Sequence, residues 1–167
     1  MPLTDFVTNE LPASIRTALR DVLHAEPRDM RLIGGGKISH TARVEVNGTH
    51  YVVKWKANAP PSFFEAEARG LALLRAAKAF RVPEVIAHGD ATQNSAAYLI
   101  MEWIEPASGV DPAEFAADYG RILAALHSVT GKTYGLDHDN FNGELHHPAH
   151  ITNMDPRIYL PAISHHR

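Results

Sequence analysis

Two neighbouring residues, Asn47 and Gly48, constrain this chain more than any other short feature. They stand between the runs "TARVEV" and "THYVVKWK", both rich in β-branched and aromatic side chains. A two-residue type I′ turn needs positive φ at both central positions, and asparagine followed by glycine is the pair that best supplies it. Strands joined so tightly are antiparallel, because a parallel pair needs a crossover of a dozen or more residues. The chain therefore contains an antiparallel ribbon, and an all-parallel sheet is excluded.

The segments around the ribbon define what it belongs to. In "PASIRTALRDVLH", residues 12 to 24, Ile15, Leu19, Val22 and Leu23 share one helical face, and Pro12 suits the first turn. Extended structure is expected from Arg31. Ser62 followed three residues later by Glu65 forms a capping box after two prolines, so a helix is expected from about Ser62 to Lys78. Two further strands are expected at Glu84 to Ala87 and Ala96 to Ile104, then a short linker from Pro106 to Val110. Asp111 and Glu114 open a last helix that Gly131 would stop, and beyond it the periodicity fades. Five strands with one helix after the third describe an α+β fold, a five-stranded antiparallel sheet with one packed helix, not a doubly wound parallel sheet.

Bulk properties remove several function classes. A net charge of −3 with scattered basic residues leaves no footprint for nucleic acid or an anionic membrane. The absence of cysteine excludes a disulfide framework and thiolate chemistry. The acidic N-terminus has no apolar signal core, and no run approaches a membrane span. A cytoplasmic, soluble protein with no membrane partner is expected.

The stretch "LIGGGKISHT" raises a phosphate question, since Gly34, Gly35 and Gly36 precede Lys37. A Walker A loop would need glycine where Arg31 stands and Ser or Thr where Ile38 stands, so that motif fails twice. The dinucleotide pattern needs glycine at Ser39 and a helix afterwards, and fails as well. A plain turn and a nucleotide-covering hairpin both remain open for the glycines alone. Position in the strand order favours the second: the third strand carries Lys54 and the following helix carries Glu67. At 100° per residue Glu67 falls within the apolar stripe of Phe63, Phe64, Leu71 and Leu74, whereas Glu65 falls outside it. A carboxylate in such a stripe needs a cationic partner, and Lys54 is the candidate. Glycine hairpin, strand lysine and helix glutamate together form the phosphate-handling part of a protein-kinase-like N-lobe. The strand "YLIMEWIE" would then end in the adenine-binding hinge, with Glu102, Trp103 and Ile104 acting through main-chain groups.

In order, "GGGKIS", "YVVKWK", "FEAEARGLALL", "VPEVIAHG", "YLIMEWIE", "GRILAALHSV" and "YGLDHDNFNGELHHP" resemble the fructosamine kinase (ketosamine 3-kinase) family, relatives of the aminoglycoside phosphotransferases. The resemblance runs from about Leu32 to Pro148. It implies ATP as cofactor and phosphorylation of the sugar moiety of ketosamines on glycated amines, a deglycation step. It also implies a kinase-like N-lobe over residues 1–104, followed over 105–167 by a linker, one C-lobe helix and an irregular His-rich tail. Many relatives have cysteine where Lys37 stands, so thiol-based redox behaviour is not carried over.

The catalytic loop of the family, "HGDxxxxN", has no match downstream of the hinge. His88, Gly89 and Asp90 spell "HGD", but they precede the hinge strand and Asn94 follows one residue too soon, so a surface turn is expected there. "MDPRIY" at Met154 to Tyr159 resembles the magnesium-binding string of the family without the loop that should precede it. No catalytic and no metal residue is assigned. The expectation is a truncated C-lobe, inactive alone, with Mg²⁺ and ketosamine engaged only if that lobe were present. The alternatives are a pseudokinase-like ATP-binding or docking module, and part of another small-molecule kinase. A metal site at His146, His147 and His150 would still need a fourth ligand. Phe115, Leu123 and Leu126 should leave an apolar helix face open to self-association.

Overall fold

The computed structural model describes residues 10–35, 38–130 and 135–149. The chain divides into two compact units, residues 1–129 and 130–167. The first unit opens with α1 (Ala13–Leu23), then β1 (Arg28–Gly35), β2 (His40–Val46) and β3 (Thr49–Lys56). Next come α2 (Phe63–Ala76), β4 (Val85–Gly89), β5 (Ala97–Glu102) and α3 (Pro112–His127). The five strands make one sheet in the order β1-β2-β3-β5-β4, and every neighbouring pair is antiparallel. The α+β, kinase-like arrangement expected from the sequence is the one observed.

The Asn47-Gly48 turn has the positive φ values a type I′ turn demands, 52° and 75°. It sets the β2–β3 register from Val46 opposite Thr49 to His40 opposite Trp55. Alternation then separates the two faces of the sheet. One face carries Ala42, Val44, Val53 and Trp55 with Ile100 of β5, and α1 covers it through Ile15 and Leu19, both essentially inaccessible. Burying those two side chains contributes roughly 1.5–3 kcal/mol each. Lys54 stands on the other face, where α2 lies against β4 and β5 and buries Phe63, Phe64 and Ala66.

The start of α2 departs from the capping box. Ser62 has φ 60° in the left-handed region, and its hydroxyl caps no backbone amide. The hydroxyl instead donates to Glu65 Oε2 at 3.0 Å, and the Ser62 amide donates to Asp90 Oδ1 at 2.9 Å. The two preceding prolines fix the approach of the chain, and the carboxylate that meets the helix start comes from a distant segment. Asp111 behaves as expected, accepting from the amides of Ala113 and Glu114 to cap α3. No residue of α3 is buried, and Phe115 and Tyr119 are 59% and 57% exposed. Gly131, the expected stop of this helix, lies outside the described residues.

In the second unit, β6 (Asn140–Asn142) and β7 (Leu145–His147) form a small antiparallel hairpin where weak periodicity suggested irregular chain. Asp139 ties it together, accepting from the Ala149 amide at 2.7 Å and meeting His146 Nε2 at 2.9 Å. Those bonds, the amide first and then His146, hold the Asp139 carboxyl below the usual aspartate range.

Candidate functional site

Lys54 and Glu67 meet. Lys54 Nζ lies 2.5 Å from Glu67 Oε1 and 2.7 Å from Oε2, so the ammonium donates to both carboxylate oxygens. The pair is half-buried, with side-chain exposures of 23% and 33%, and the ammonium also lies 5.9 Å from the centre of the Phe64 ring. β3 fixes the lysine and the second turn of α2 fixes the glutamate, so an inward carboxylate on an apolar stripe is satisfied by the sheet beneath it. Glu65, which the helical wheel put outside the stripe, bonds Arg69 and Ser62 instead.

The sheet aligns further groups with this pair. Gly34 is opposite Thr41, Thr41 opposite Lys54, and Lys54 opposite Leu99, so one transverse row connects the glycine end of β1 to the lysine. A β-bulge between Leu32 and Gly34 shifts the register just before that end. Gly35 is paired with His40, while Gly36 and Lys37 lie outside the described residues. Lys56, two residues beyond Lys54, donates to the carbonyl of Ile38 at 3.0 Å.

The next row in the opposite direction holds Arg31, Arg43, Val52 and Met101. It is about 7 Å from the Lys54 row, the rise of two strand residues. Here a cleft of about 470 Å³ opens between β1, β2 and the segment after β5, lined by Arg31, Ile33, Arg43, Trp103, Glu105 and Pro106. The Arg43 guanidinium lies 5.6 Å from the centre of the Trp103 ring. Arg43 Nε and Trp103 Nε1 are buried donors without a protein acceptor. Glu105 meets His50 Nδ1 at 3.8 Å. Two guanidinium groups and an indole N–H against one carboxylate suit an acceptor-rich ligand.

Glu102 ends β5, and Trp103 and Ile104 continue without regular structure. The Glu102 side chain is bonded to Arg81 and accepts from the Glu84 amide at 3.2 Å. Arg81 first, and the Glu84 amide next, hold its carboxyl below the usual glutamate range. Sequence reasoning did not find Arg43, Arg81 or the Glu105–His50 contact. The alternation of β2 puts Arg43 on the Lys54 face, but no local signal links Arg81 to a residue 21 positions away.

The remaining candidates separate. His88 and Gly89 belong to β4, and Asp90, just beyond it, is spent on the Ser62 amide. A Cβ on Gly89 would lie 2.6 Å from Tyr98 Cε1, so a close-packed ring requires the glycine. His146 and His147 are consecutive in β7 and point to opposite sides, and His150 lies outside the described residues. Among the described residues no group of three or more His, Cys, Asp or Glu is placed to hold a metal ion. A second cleft of about 420 Å³ lies on the α1 face, where His40 stacks on Trp55, and among the described residues no Lys or Arg lines it.

Comparison with known proteins gives a consistent result. A family model described as fructosamine kinase matches residues 12–155. A probable ketoamine kinase of Enterococcus faecium is 39% identical over 111 residues, 66% of this chain and 37% of that protein. A structure described as a putative fructosamine-3-kinase from Haemophilus somnus superposes with a TM-score of 0.67 at 24% identity, covering 82% of this chain and 46% of the other. An aminoglycoside phosphotransferase solved as a ternary complex with ADP and hygromycin B superposes with a TM-score of 0.52 at 17% identity, over 71% of this chain and 40% of that one. The two superpositions establish the fold. The chain spans between 33% and 40% of the length of the curated relatives it matches.

Proposed function

The chain belongs to the fructosamine kinase family, and from that membership we propose that its first unit is the nucleotide-holding part of an ATP-dependent kinase acting on ketosamines. The observation that carries this reading is the Lys54–Glu67 ion pair, on the same sheet face as the cleft bordered by Trp103. In the reaction, the terminal phosphoryl group of ATP leaves the β–γ bridging oxygen and is taken by a hydroxyl oxygen of the sugar moiety, whose proton passes to a base. Lys54 places its charge on the phosphate oxygens, and Glu67 holds the ammonium so that little ordering remains when ATP arrives. Gly34 and Gly35, at the end of β1, cover the phosphates, the part that the family resemblance also gives to Gly36, while Glu102, Trp103 and Ile104 offer main-chain groups to the base. The described residues do not fit a cation site, so the Mg²⁺ that accompanies ATP in such reactions is given no step on this part of the chain.

The reading is tested by calorimetric titration of the 167-residue protein with ATP. Wild-type binding, weakened at least about tenfold by Lys54→Met, is expected from the loss of a charge-assisted contact. No binding to the wild-type protein would overturn it.

A narrower proposal concerns turnover. Asp90 of the "HGD" string accepts from the Ser62 amide at the start of α2 and lies just beyond β4, and we assign it no role as the base. The 167-residue polypeptide is therefore expected to bind ATP without phosphorylating a ketosamine. A ³¹P signal from phosphorylated product would reject this. Among the described residues no helix is long and apolar enough to cross a membrane. A cytoplasmic setting is a separate proposal, from the sequence reading alone. Self-association through the exposed face of α3 is proposed as well, and a monomer mass by light scattering at every concentration would remove it.

A further inference from the structure

We infer that Glu102 is a positioning residue: its carboxylate, gripped by Arg81 and by the Glu84 amide, fixes where the linker leaves the sheet and thereby sets the affinity of the cleft for nucleotide. The inference rests on the nucleotide reading above. Three bonds join Glu102 to a single segment. Its side chain takes the guanidinium of Arg81 and the amide of Glu84, and its own amide donates to the Glu84 carbonyl at 2.8 Å. That segment is in turn tied to α2, because Arg75 in the last turn of the helix donates to the Val82 carbonyl at 3.1 Å. A continuous series of contacts thus connects the helix that carries Glu67 with the residue that precedes Trp103. The phosphate-facing cation and the base-facing linker are both referenced to α2.

The geometry also makes the action of the Glu102 side chain indirect, separate from the main-chain groups of the same residue. Glu102 is paired with Tyr51, which packs against the α1-side core, so its side chain belongs to the row facing away from Lys54. Trp103, the next residue, lines the cleft. The linker has no regular structure, and beyond Glu102 it meets the sheet through the Trp103 ring, 5.6 Å from the Arg43 guanidinium, and through Glu105 with His50 at 3.8 Å. Releasing Glu102 would leave Trp103 and Ile104 free to shift, and main-chain groups that recognise a base tolerate little displacement.

Calorimetric titration with ATP and thermal melts of the wild-type 167-residue protein, Glu102→Gln, Arg81→Met and Arg81→Lys decide the matter. Glu102→Gln keeps the size and one acceptor oxygen, but replaces the other with an NH₂ donor and loses the charge. Each of Glu102→Gln and Arg81→Met is expected to weaken ATP binding by about two- to fivefold, the scale of a partly exposed ion pair. Their effects should not add in the double variant. Arg81→Lys should restore most of the affinity, and the melting temperatures should move by less than about 2 °C. Wild-type binding with unchanged affinity in both charge-removing variants overturns the inference and leaves the nucleotide reading intact. So does a loss of affinity that follows melting temperature and is not rescued by Arg81→Lys, since that is a general loss of folding. A wild-type protein that binds no ATP ends both readings, and that result is obtained before any variant is compared.

Discussion

Val53 and Lys54 are adjacent in β3, yet they belong to two surfaces with different physics. The row through Val53 runs Leu32, Ala42, Val53, Ile100 and Ala87, and α1 closes over it. The row through Lys54 runs Gly34, Thr41, Lys54, Leu99 and His88, and its middle is held by a charge pair. The first surface gains from the area it removes from water, a contribution that asks only for apolar volume and fit. The second keeps a cation half-exposed in a fixed place, which stabilises the fold little and orders charge for a ligand. The two-residue alternation of the strands therefore confines the charge pair to one face, which also buries Phe64 and Leu99, and leaves the α1 face to apolar packing. Substitutions on the α1 face should thus change stability without changing recognition.

The largest effect is expected on the α1 face. Leu19→Ala removes a side chain with no exposed area and should lower stability by about 2–5 kcal/mol in urea unfolding. ATP affinity of the fraction that remains folded should be unchanged. A loss below about 1 kcal/mol would mean that α1 is a loosely held cover and that the division between faces is wrong.

How much of this division the sequence revealed depended on how local its causes were. Asn47-Gly48 dictates its turn through the φ values of two residues, and everything in the β2–β3 register follows. The Lys54–Glu67 contact spans 13 positions, but the helical wheel exposed an awkward carboxylate and the strand order offered it a partner. Ser62 failed as a cap because the group that meets the helix start, Asp90, is 28 positions away and follows a different strand. Arg81 and Glu102 were missed for the same reason: two charges 21 positions apart give no periodic signal, and only the closed sheet brings them together. In β6–β7 the three-residue strands are too short to show alternation at all.

A smaller effect tests whether the α1 face is as tightly fitted at its margin as at its centre. Gly89→Ala drives a methyl group into the ring of Tyr98, and overpacking of this kind costs about 1–3 kcal/mol. The cost should fall in a Tyr98→Leu background, where the ring is gone, so a double-mutant cycle should show coupling of at least about 0.5 kcal/mol. Additive effects would mean that β4 moves aside freely.

The smallest expected effect belongs to the polar trim of the α2 face and is read by pH. The Ser62 hydroxyl, and after it Arg69, hold the Glu65 carboxyl below its ordinary value of 4.5. A lowered folded-state value means that the carboxylate form is favoured by folding. The contribution is thus fully present above about pH 4.5 and disappears as pH falls through the folded value. In carboxyl NMR titration, Ser62→Ala should move the Glu65 midpoint upward, because the first of its supports is gone, and Arg69→Ala should move it less. The amides of Val53 and Ile100 on the other face should not respond to either substitution. A midpoint indifferent to Ser62→Ala would show that the hydroxyl does not stabilise the ionised form. The start of α2 would then depend on the Asp90 contact, and a carboxylate from just beyond β4 rather than a local cap would be what fixes the helix carrying Glu67.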